Sequence, residues 1–513
     1  MTRKRTSLVA TRALRAGQLL VSGEWKELTA RLVRKVRSKG DPPAAQDDPK
    51  AYARWLRRQK SRFAKEWKRA DAAGAEDVRI VFVRGGAFAP EPKQSPSATL
   101  FVRAGDEVEP GAERLFAAAF ARGADVVTCD HDERDAGGRL ARPRFLPAWS
   151  PARLLEDPYL LPAFLVRDTL LAGFSPPIGA SAEATLYAIA LHVRDRVRRA
   201  EHIAVPLVHA HGPLSRAGCM DVARESGPAE IVEASGGWRA RFPLPKAARA
   251  SVLIPFRDQP ELLDRCLDSV FAHTDPRRFD VRLLDNGSLE PRTAAIVGKW
   301  TQRANVSVLP LPGPFNFAAL NNRGAGDATG SHLLLLNNDT EVLHDDWLEP
   351  LMELAAQKDV GAVGCKLLYP DRTLQHAGVW LGVAGLAAHA YAGLGEDHAG
   401  HGGELRVLRN LSAVTGACLM IERRKWRAVS GMNEKKYKVA FNDLDLCLRL
   451  EQHGWRTVYT PHVTLVHHES KSRGARVDMR EERAFLTAYE DRVAHDPYVS
   501  PSFSRLVADG RWR

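Results

Sequence analysis

Apolar positions in this chain follow two rhythms that alternate along its length. Continuous runs such as Val252-Leu253-Ile254-Pro255-Phe256 and Leu333 to Leu336 suit strands buried on both faces. Between such runs, Leu262, Leu263, Cys266, Leu267, Val270 and Phe271 recur with the 3.6-residue period of an amphipathic helix. From Ser251 the pattern predicts a strand at 252–256, this helix, a strand at 281–284, a helix at about 290–303 and strands at 307–311 and 333–336. Alternation of this kind implies a parallel sheet with right-handed crossovers. Upstream, strands are predicted at 78–83, 99–102, 125–129 and 204–208, with helices at about 112–122 and 182–198. Tyr52, Trp55, Leu56, Phe63 and Trp67 fall near helical spacing and predict a helix capping the domain that follows. Gly236 and Gly237, then Pro243 and Pro245, read as a linker with a boundary near 245. The chain thus divides into a basic helical arm (1–74), an α/β domain (75–245), a second α/β domain (246–474) and a helical tail (475–513).

Polar residues at the ends of these runs carry the candidate chemistry. The strand at 333–336 stops at Asn337-Asn338-Asp339, at the carboxyl end where open α/β sheets bind ligands. A carboxylate beside neutral oxygens suits Mg²⁺ or Mn²⁺ carrying substrate phosphates; a strand running into a polar turn is the plain alternative. Asp285-Asn286-Gly287-Ser288 is a turn of the kind Gly and Asn favour. Asp443 precedes Leu446 and Leu450, so it sits at a helix start, where negative charge is favoured and where a capping role would also explain it. Asp445 and Arg449 lie one helical turn apart and can pair. Arg257-Asp258-Gln259 follows the strand at 252–256 where a nucleotidyltransferase would need a phosphate-cradling glycine and lysine loop.

Composition narrows the setting. Hydrophobic residues at 44% and charged residues at 27% over 513 positions describe an ordinary globular protein. No run of about 18 apolar residues predicts a membrane span, and the N-terminus lacks the apolar core of a secretory signal. Six scattered cysteines without a Cys-x-x-Cys pair predict buried free thiols in a reducing cytoplasm. The net charge of +12 is concentrated in residues 1–40, which hold 11 Lys or Arg against Glu24 and Glu27. Such an arm could rest on an anionic membrane surface, fold against the body as a solvated helix, or remain a disordered basic tail. No nucleic-acid motif accompanies the charge, so no nucleic-acid partner is expected.

Six segments in order resemble one family. They are Val252-Leu-Ile-Pro-Phe256, Leu284-Asp-Asn-Gly-Ser288, Phe315-Asn-Phe-Ala-Ala-Leu-Asn-Asn322, Leu335-Leu-Asn-Asn-Asp339, Phe441-Asn-Asp-Leu-Asp-Leu-Cys-Leu-Arg-Leu450 and Val466-His-His-Glu-Ser470. Together they resemble family 2 glycosyltransferases of GT-A fold, a Rossmann-like, mainly parallel sheet with flanking helices, and in particular bacterial polysaccharide and rhamnosyl-type enzymes. The resemblance implies that Pro255, Asp285 and Asn286 line a nucleoside pocket. It also puts Asn316 and Asn322, in a polar loop, and Asn337 and Asn338 near the donor. Asp339 would hold Mg²⁺ or Mn²⁺, with a further ligand from the adjacent histidines, His468 as ligand and His467 in support. Asp443 would be the general base, supported by Asp445 and Arg449. Two departures stand out: Asn337 replaces the first acid of the usual Asp-x-Asp, and Asn442 replaces the usual Glu before Asp443.

The implied reaction is inverting transfer from a nucleoside-diphosphate sugar to a hydroxyl of a cell-surface glycan or lipid-linked precursor. The implied place is the cytoplasm, with peripheral contact at the inner membrane face through the basic arm. A noncatalytic glycan- or nucleotide-binding scaffold is the alternative. His376, Trp380 and His389 fall in the stretch resembling the acceptor side, where a core role for Trp380 is the simpler expectation.

A fainter resemblance covers 75–215. Leu100-Phe-Val-Arg-Ala-Gly-Asp106, Cys129-Asp-His-Asp-Glu133 and Phe145-Leu-Pro-Ala-Trp-Ser-Pro151 resemble landmarks of the same fold. Arg103 and Gly105 stand where carboxylates are expected, and Ala184 to Ala190 offers Leu186 and Ala188 where an acidic pair would sit. The resemblance implies a degenerate, noncatalytic glycosyltransferase-like domain; an unrelated α/β domain is the alternative. Asp130, Asp132 and Glu133 are expected to form a solvated loop.

Overall fold

Two sheets, each flanked by helices, organise the chain; the computed structural model describes residues 48–71, 78–85, 97–227, 229–234, 236–468 and 478–512. The basic arm at 1–40 and the Glu469-Ser470 end of the last motif lie outside the described residues.

The first sheet comprises β1 (Val78–Val83), β2 (Ala98–Arg103), β3 (Glu107–Val108), β4 (Val126–Arg134), β5 (Leu140–Arg144), β6 (Ala163–Arg167) and β7 (Ala200–His211). Its order is β1-β2-β6-β4-β7-β3, with β5 beside β4. The helix Pro49–Asp71 lies on this unit as the aromatic spacing predicts, and the Tyr52 hydroxyl donates to Asp132 Oδ2 at 2.6 Å.

The expected solvated acidic loop is instead part of β4. Asp130 and Asp132 are fully buried, and Asp132 Oδ1 stands 2.6 Å from His209 Nδ1 while Asp130 Oδ1 accepts the Leu146 N–H at 3.0 Å. Burial of these carboxylates is tolerated because each is hydrogen-bonded.

The expected linker also carries structure. β8 (Glu230–Ala234) and β9 (Gly237–Arg241) form a hairpin whose turn includes Gly236 at φ +82°. Trp238 Nε1 donates to the Leu155 carbonyl at 2.8 Å, and Arg241 Nε reaches Glu353 Oε2 at 2.8 Å. One continuous core therefore joins Leu154, Tyr187 and Trp238 to Met352 and Val363.

The second sheet begins with β10 (Ala250–Phe256), β11 (Phe279–Asp285), β12 (Val306–Pro310), β13 (His332–Leu336) and β14 (Thr340–Val342). β15 (Val360–Leu368), β16 (Leu374–His376), a hairpin of β17 (Val379–Leu381) and β18 (Ala387–His389), β19 (Arg409–Leu411), β20 (Cys418–Glu422) and β21 (Arg456–His467) follow. Strands β12-β11-β10-β13 are parallel, as the alternation predicts. Beyond β13 the order continues β20-β15-β21-β14, with β20 antiparallel to both neighbours, so the whole sheet is mixed rather than mainly parallel. Both units are α/β, with mixed sheets flanked by helices.

The helix Phe317–Asp327 replaces the expected polar loop, its first turn capped by Asn316 Oδ1 accepting the Ala319 N–H at 2.9 Å. After the helix Met479–Ala494 the tail returns to the first unit, where Trp512 meets the rings of Tyr52 and Phe145 at 5.8 and 6.0 Å. All six cysteines are buried and free. No described helix is long and apolar enough to cross a membrane.

Candidate active site

The parallel strands deliver their carboxyl ends to one edge. Phe256 pairs with Asp285 in register, and the Asn286 N–H donates to the Phe256 carbonyl at 2.9 Å. Pro255, one residue earlier on β10, is buried beside Leu284. Asp285 Oδ1 accepts both the Ser288 N–H at 2.8 Å and the Ser288 hydroxyl at 2.7 Å, so the turn-forming role of this aspartate is real. Asn286 Nδ2 donates to the carbonyls of Leu311 and Gly313 at 3.0 and 3.2 Å, and its buried Oδ1 has no partner among the described residues. Close by, two backbone N–H bonds, from Glu290 and Leu289, hold the Asp258 carboxyl below its ordinary pKa.

On β13 the polar run leaves the sheet as expected. Asn337 and Asp339 are both 5% exposed, while Asn338 is half-buried. Asp339 Oδ1 lies 3.0 Å from His467 Nε2, because β14 and β21 pair with Thr340 opposite His467. His467 Nδ1 is 2.6 Å from Gln375 Oε1, and Asn337 Nδ2 is 3.2 Å from His467 Nε2. With Nδ1–H donating to Gln375, the ring turns a lone pair toward a carboxylate oxygen. Octahedral ligands about 2.1 Å from one metal, at right angles, stand about 3.0 Å apart, so this pair fits a divalent ion.

His468, the ligand expected from the sequence, is turned elsewhere. Its Nε2 is 2.8 Å from Glu341 Oε2, and Arg265 Nη1 is 3.5 Å from the same ring. Adjacent strand residues face opposite ways, so only one of the pair can meet Asp339. Among the described residues no group of three or more His, Cys, Asp or Glu converges as a metal cage. A site with two protein ligands leaves the remaining positions to phosphates and water.

Asp443 is the second residue of the helix Asn442–Gln452, half-buried, with Phe441 before it at φ +59°. Its Oδ2 accepts the Gly416 N–H at 2.9 Å, while the Ala417 carbonyl accepts the Asn337 N–H at 3.0 Å. Two successive residues of one loop thus tie the helix start to the end of β13. Asp445 pairs with Arg449 Nε at 2.8 Å and accepts the Tyr489 hydroxyl at 2.8 Å; Arg449 also donates to the Val429 and Gly431 carbonyls at 2.6 and 2.7 Å.

Asn316 and Asn322 are joined to protein. Asn316 Nδ2 donates to the Glu434 carbonyl at 3.0 Å; Asn322 Nδ2 donates to the Met432 carbonyl at 2.9 Å and its Oδ1 accepts the Met432 N–H at 2.9 Å. Both pin the segment that leads into Asp443. On the other wall, Trp380 is 1% exposed and stacks on Phe503 at 5.6 Å, which makes it core. His376 Nδ1 lies 2.8 Å from His389 Nδ1, and burial holds the His376 pKa well below the ordinary histidine value. Gln375 and the Gly416–Ala417 loop are the contributors that sequence reasoning missed; neither carries a motif of its own.

The model of the family described as "Glycosyl transferase family 2" matches residues 251–380. The chain is 34% identical over 422 residues to "O-antigen biosynthesis protein RfbC" of Myxococcus xanthus, an alignment covering 78% of this chain and 32% of that protein. It is also 34% identical over 422 residues to "Uncharacterized protein y4gI" of Sinorhizobium fredii, covering 75% of this chain and 45% of the relative. The chain therefore spans less than half the length of either relative. Among solved structures, "GalNAc-T7 with UDP, GalNAc and Mn2+" aligns over 52% of each chain at 15% identity with a TM-score of 0.42.

Proposed function

From the premise that this chain carries a family 2 glycosyltransferase domain, we propose that it transfers a sugar, with inversion, from a nucleoside-diphosphate donor to a hydroxyl of a glycan or lipid-linked acceptor. The observation supporting this reading is the tie between the start of the Asp443 helix and the end of β13, two residues before Asp339: the Gly416 N–H donates to Asp443 Oδ2 at 2.9 Å and the Asn337 N–H to the Ala417 carbonyl at 3.0 Å.

Asp339 and His467 are the residues that would hold a divalent cation, Mg²⁺ or Mn²⁺. Such an ion, when bound, neutralises the diphosphate as it leaves. Asn337 replaces a second carboxylate, so the protein contributes less negative charge to this site than an Asp-x-Asp pair would. Asp285 and Asn286 would meet the nucleoside at the ends of β10 and β11. Asp443 takes the proton of the acceptor hydroxyl as that oxygen bonds to the anomeric carbon. The bond from this carbon to the diphosphate breaks on the opposite face, and its electron pair departs with the nucleoside diphosphate. Attack opposite the leaving group inverts the configuration. Asp445 and Arg449 act on this step indirectly, by fixing the helix that presents Asp443.

The decisive experiment incubates the chain with a panel of nucleoside-diphosphate sugars and Mn²⁺. Metal-dependent turnover of one donor, lost in Asp443→Asn while nucleoside-diphosphate binding persists, is the expected result. Full transfer by Asp443→Asn would remove the assigned base. The cytoplasmic setting and a peripheral contact through residues 1–40 belong to the same reading. Liposome sedimentation with and without that arm tests the contact, and equal partitioning would end it.

A further inference from the structure

The two sheets are built alike. In the first, β1-β2-β6-β4-β7-β3 run in sequence across the sheet with β5 on β4; in the second, β10-β13-β20-β15-β21-β14 run likewise with β16 on β15. Each neighbouring pair also agrees in sense. β1/β2 and β10/β13 are parallel, as are β4/β7 and β15/β21, and the other pairs are antiparallel in both. The parallel pairs β4/β7 and β15/β21 each carry a register jump at the same place, after Cys129 and after Cys365. The strands themselves repeat a pattern: Val205-Pro-Leu-Val-His209 on β7 and Val463-Thr-Leu-Val-His467 on β21.

Corresponding positions then hold corresponding groups. Arg103 ends β2 and Asn337 follows β13; in both turns the residue three further on donates its N–H to that carbonyl, Asp106 to Arg103 and Thr340 to Asn337. In that turn Asp106 stands where Thr340 does, but the next strands match one residue later, Glu107 pairing with His209 as Thr340 pairs with His467, so that Asp106 and Asp339 each directly precede the residue opposite the histidine. Glu183 is the second residue of the helix Ala182–Val193, and Asp443 the second of Asn442–Gln452. The first domain therefore retains a turn carboxylate and a helix-start carboxylate, at positions where the sequence suggested only Leu186 and Ala188.

What lies between them differs. Arg103 Nε and Nη2 donate to the two oxygens of Asp106 at 2.8 and 2.7 Å, and Nη1 to Glu183 Oε1 at 3.1 Å. The carbonyls of His211, Gly212 and Pro213 complete the surround at 3.2, 3.5 and 3.3 Å. Arg103 and Asp106 are 8% and 7% exposed. Desolvation works against the charge of Glu183, yet bonds from its own backbone N–H and from Arg103 bring its pKa below the ordinary value. Among the described residues the first domain also shows no counterparts of β11 and β12. Residues 84–97 separate β1 from β2, whereas 257–331 separate β10 from β13. A single parallel crossover takes about a dozen residues or more, so no room remains for counterparts of β11 and β12.

We infer that the first domain is a sealed second copy of the catalytic framework, in which the Arg103 guanidinium is a built-in cation bridging Asp106 and Glu183, so that each chain holds one metal centre. The hydrogen-bond acceptors named around Arg103 are oxygen atoms, the ligand type hard divalent cations take. Removing the guanidinium would leave a cavity suited to such an ion. Only the expected total of one centre rests on the proposed role of Asp339; the behaviour of Arg103 is independent of it.

The test is a titration of the full chain with Mn²⁺ alone, free ion followed by electron paramagnetic resonance. Wild type is expected to bind one ion, lost in Asp339→Asn and kept in Asp106→Asn. Arg103→Ala is expected to gain one further ion, lost again when Asp106→Asn is added and displaced by guanidinium chloride below denaturing concentration. Loss of an ion from wild type on Asp106→Asn alone would overturn the inference, as would a folded Arg103→Ala that gains none. Should Arg103→Ala not fold, Arg103→Met keeps the aliphatic stem and takes its place, and the wild-type and Asp106→Asn counts decide independently. Unchanged binding in Asp339→Asn, with the Arg103 results intact, would instead count against the proposed catalytic site.

Discussion

At the scale of single residues, the end of β21 separates side chains that are neighbours in sequence. His467 and His468 differ by one position, yet one ring faces Asp339 at 3.0 Å and the other Glu341 at 2.8 Å. His467→Ala is therefore expected to weaken Mn²⁺ binding by roughly 10- to 100-fold, within the range for losing groups around a metal, while His468→Ala changes it little. Isothermal titration with Mn²⁺ and a nucleoside diphosphate checks this; equal effects of the two variants would contradict the assignment. Asp339, Asp443 and the Asp445–Arg449 pair were legible because each ends an apolar run or fits a helical period. Gln375 was not, since nothing near it in the chain announces a partner 92 positions away.

At the scale of elements, the loop that ties Asp443 to Asn337 lies flat on β15 because position 364 is glycine. A Cβ there would stand 2.5 Å from Val414 Cβ, immediately before Thr415, Gly416 and Ala417. Gly364→Ala is expected to cost about 1–3 kcal/mol by overpacking and to lower turnover by displacing this loop. Thermal unfolding and a donor-turnover assay on the same variant read both; unchanged values would show that the loop can give way. The helix Phe317–Asp327 escaped the periodicity reading because Asn321, Asn322, Arg323, Gly324 and Gly326 interrupt its apolar face. Its signal was the cap: Asn316 directly before Phe-Ala-Ala-Leu. The hairpin β8–β9 was read as a linker because glycines at a tight turn and glycines in a loose connection look the same without the packing of Trp238 against Leu155.

At the scale of the molecule, the two domains are locked by buried polar groups. Glu156 is fully buried in the first domain; it accepts N–H bonds from Ala240 at 3.0 Å and Leu408 at 2.8 Å, and its oxygens lie 2.9 Å from His462 Nε2. His462 sits in the bulge of β21, five residues before His467. Glu156→Ala strips several donors of their partner at once and is expected to destabilise the fold by about 3 kcal/mol or more. Denaturant unfolding measures it, and a loss below about 1 kcal/mol would mean the interface tolerates the gap.

Acid sensitivity follows from another buried group. His401 accepts the Phe145 N–H at Nε2 across the domain boundary, and burial, with Arg144 and Arg153 nearby, lowers its pKa from 6.5 to about 3. The unfolded chain takes up this proton below about 6.5 and the folded chain does not, so the stability it contributes above 6.5 is lost as pH falls from there toward 3. The loss is up to about 1.4 kcal/mol per pH unit. Melting temperatures between pH 7 and 5 are expected to fall less steeply in His401→Gln than in wild type; parallel profiles would exclude this histidine as a source.

Local sequence determined the elements and the chemical endowment of the protein: buried parallel strands, an Asp at the end of one, an Asp at the start of a helix. Periodicity and capping act over a few residues, so their signs survive in the bare chain. Tertiary structure decided which neighbours meet which partner, since the face a strand residue shows depends on its register with a distant strand. It also decided the fate of Arg103. Among water this side chain would be an ordinary surface cation; between two carboxylates and a ring of carbonyls it is buried and held by hydrogen bonds.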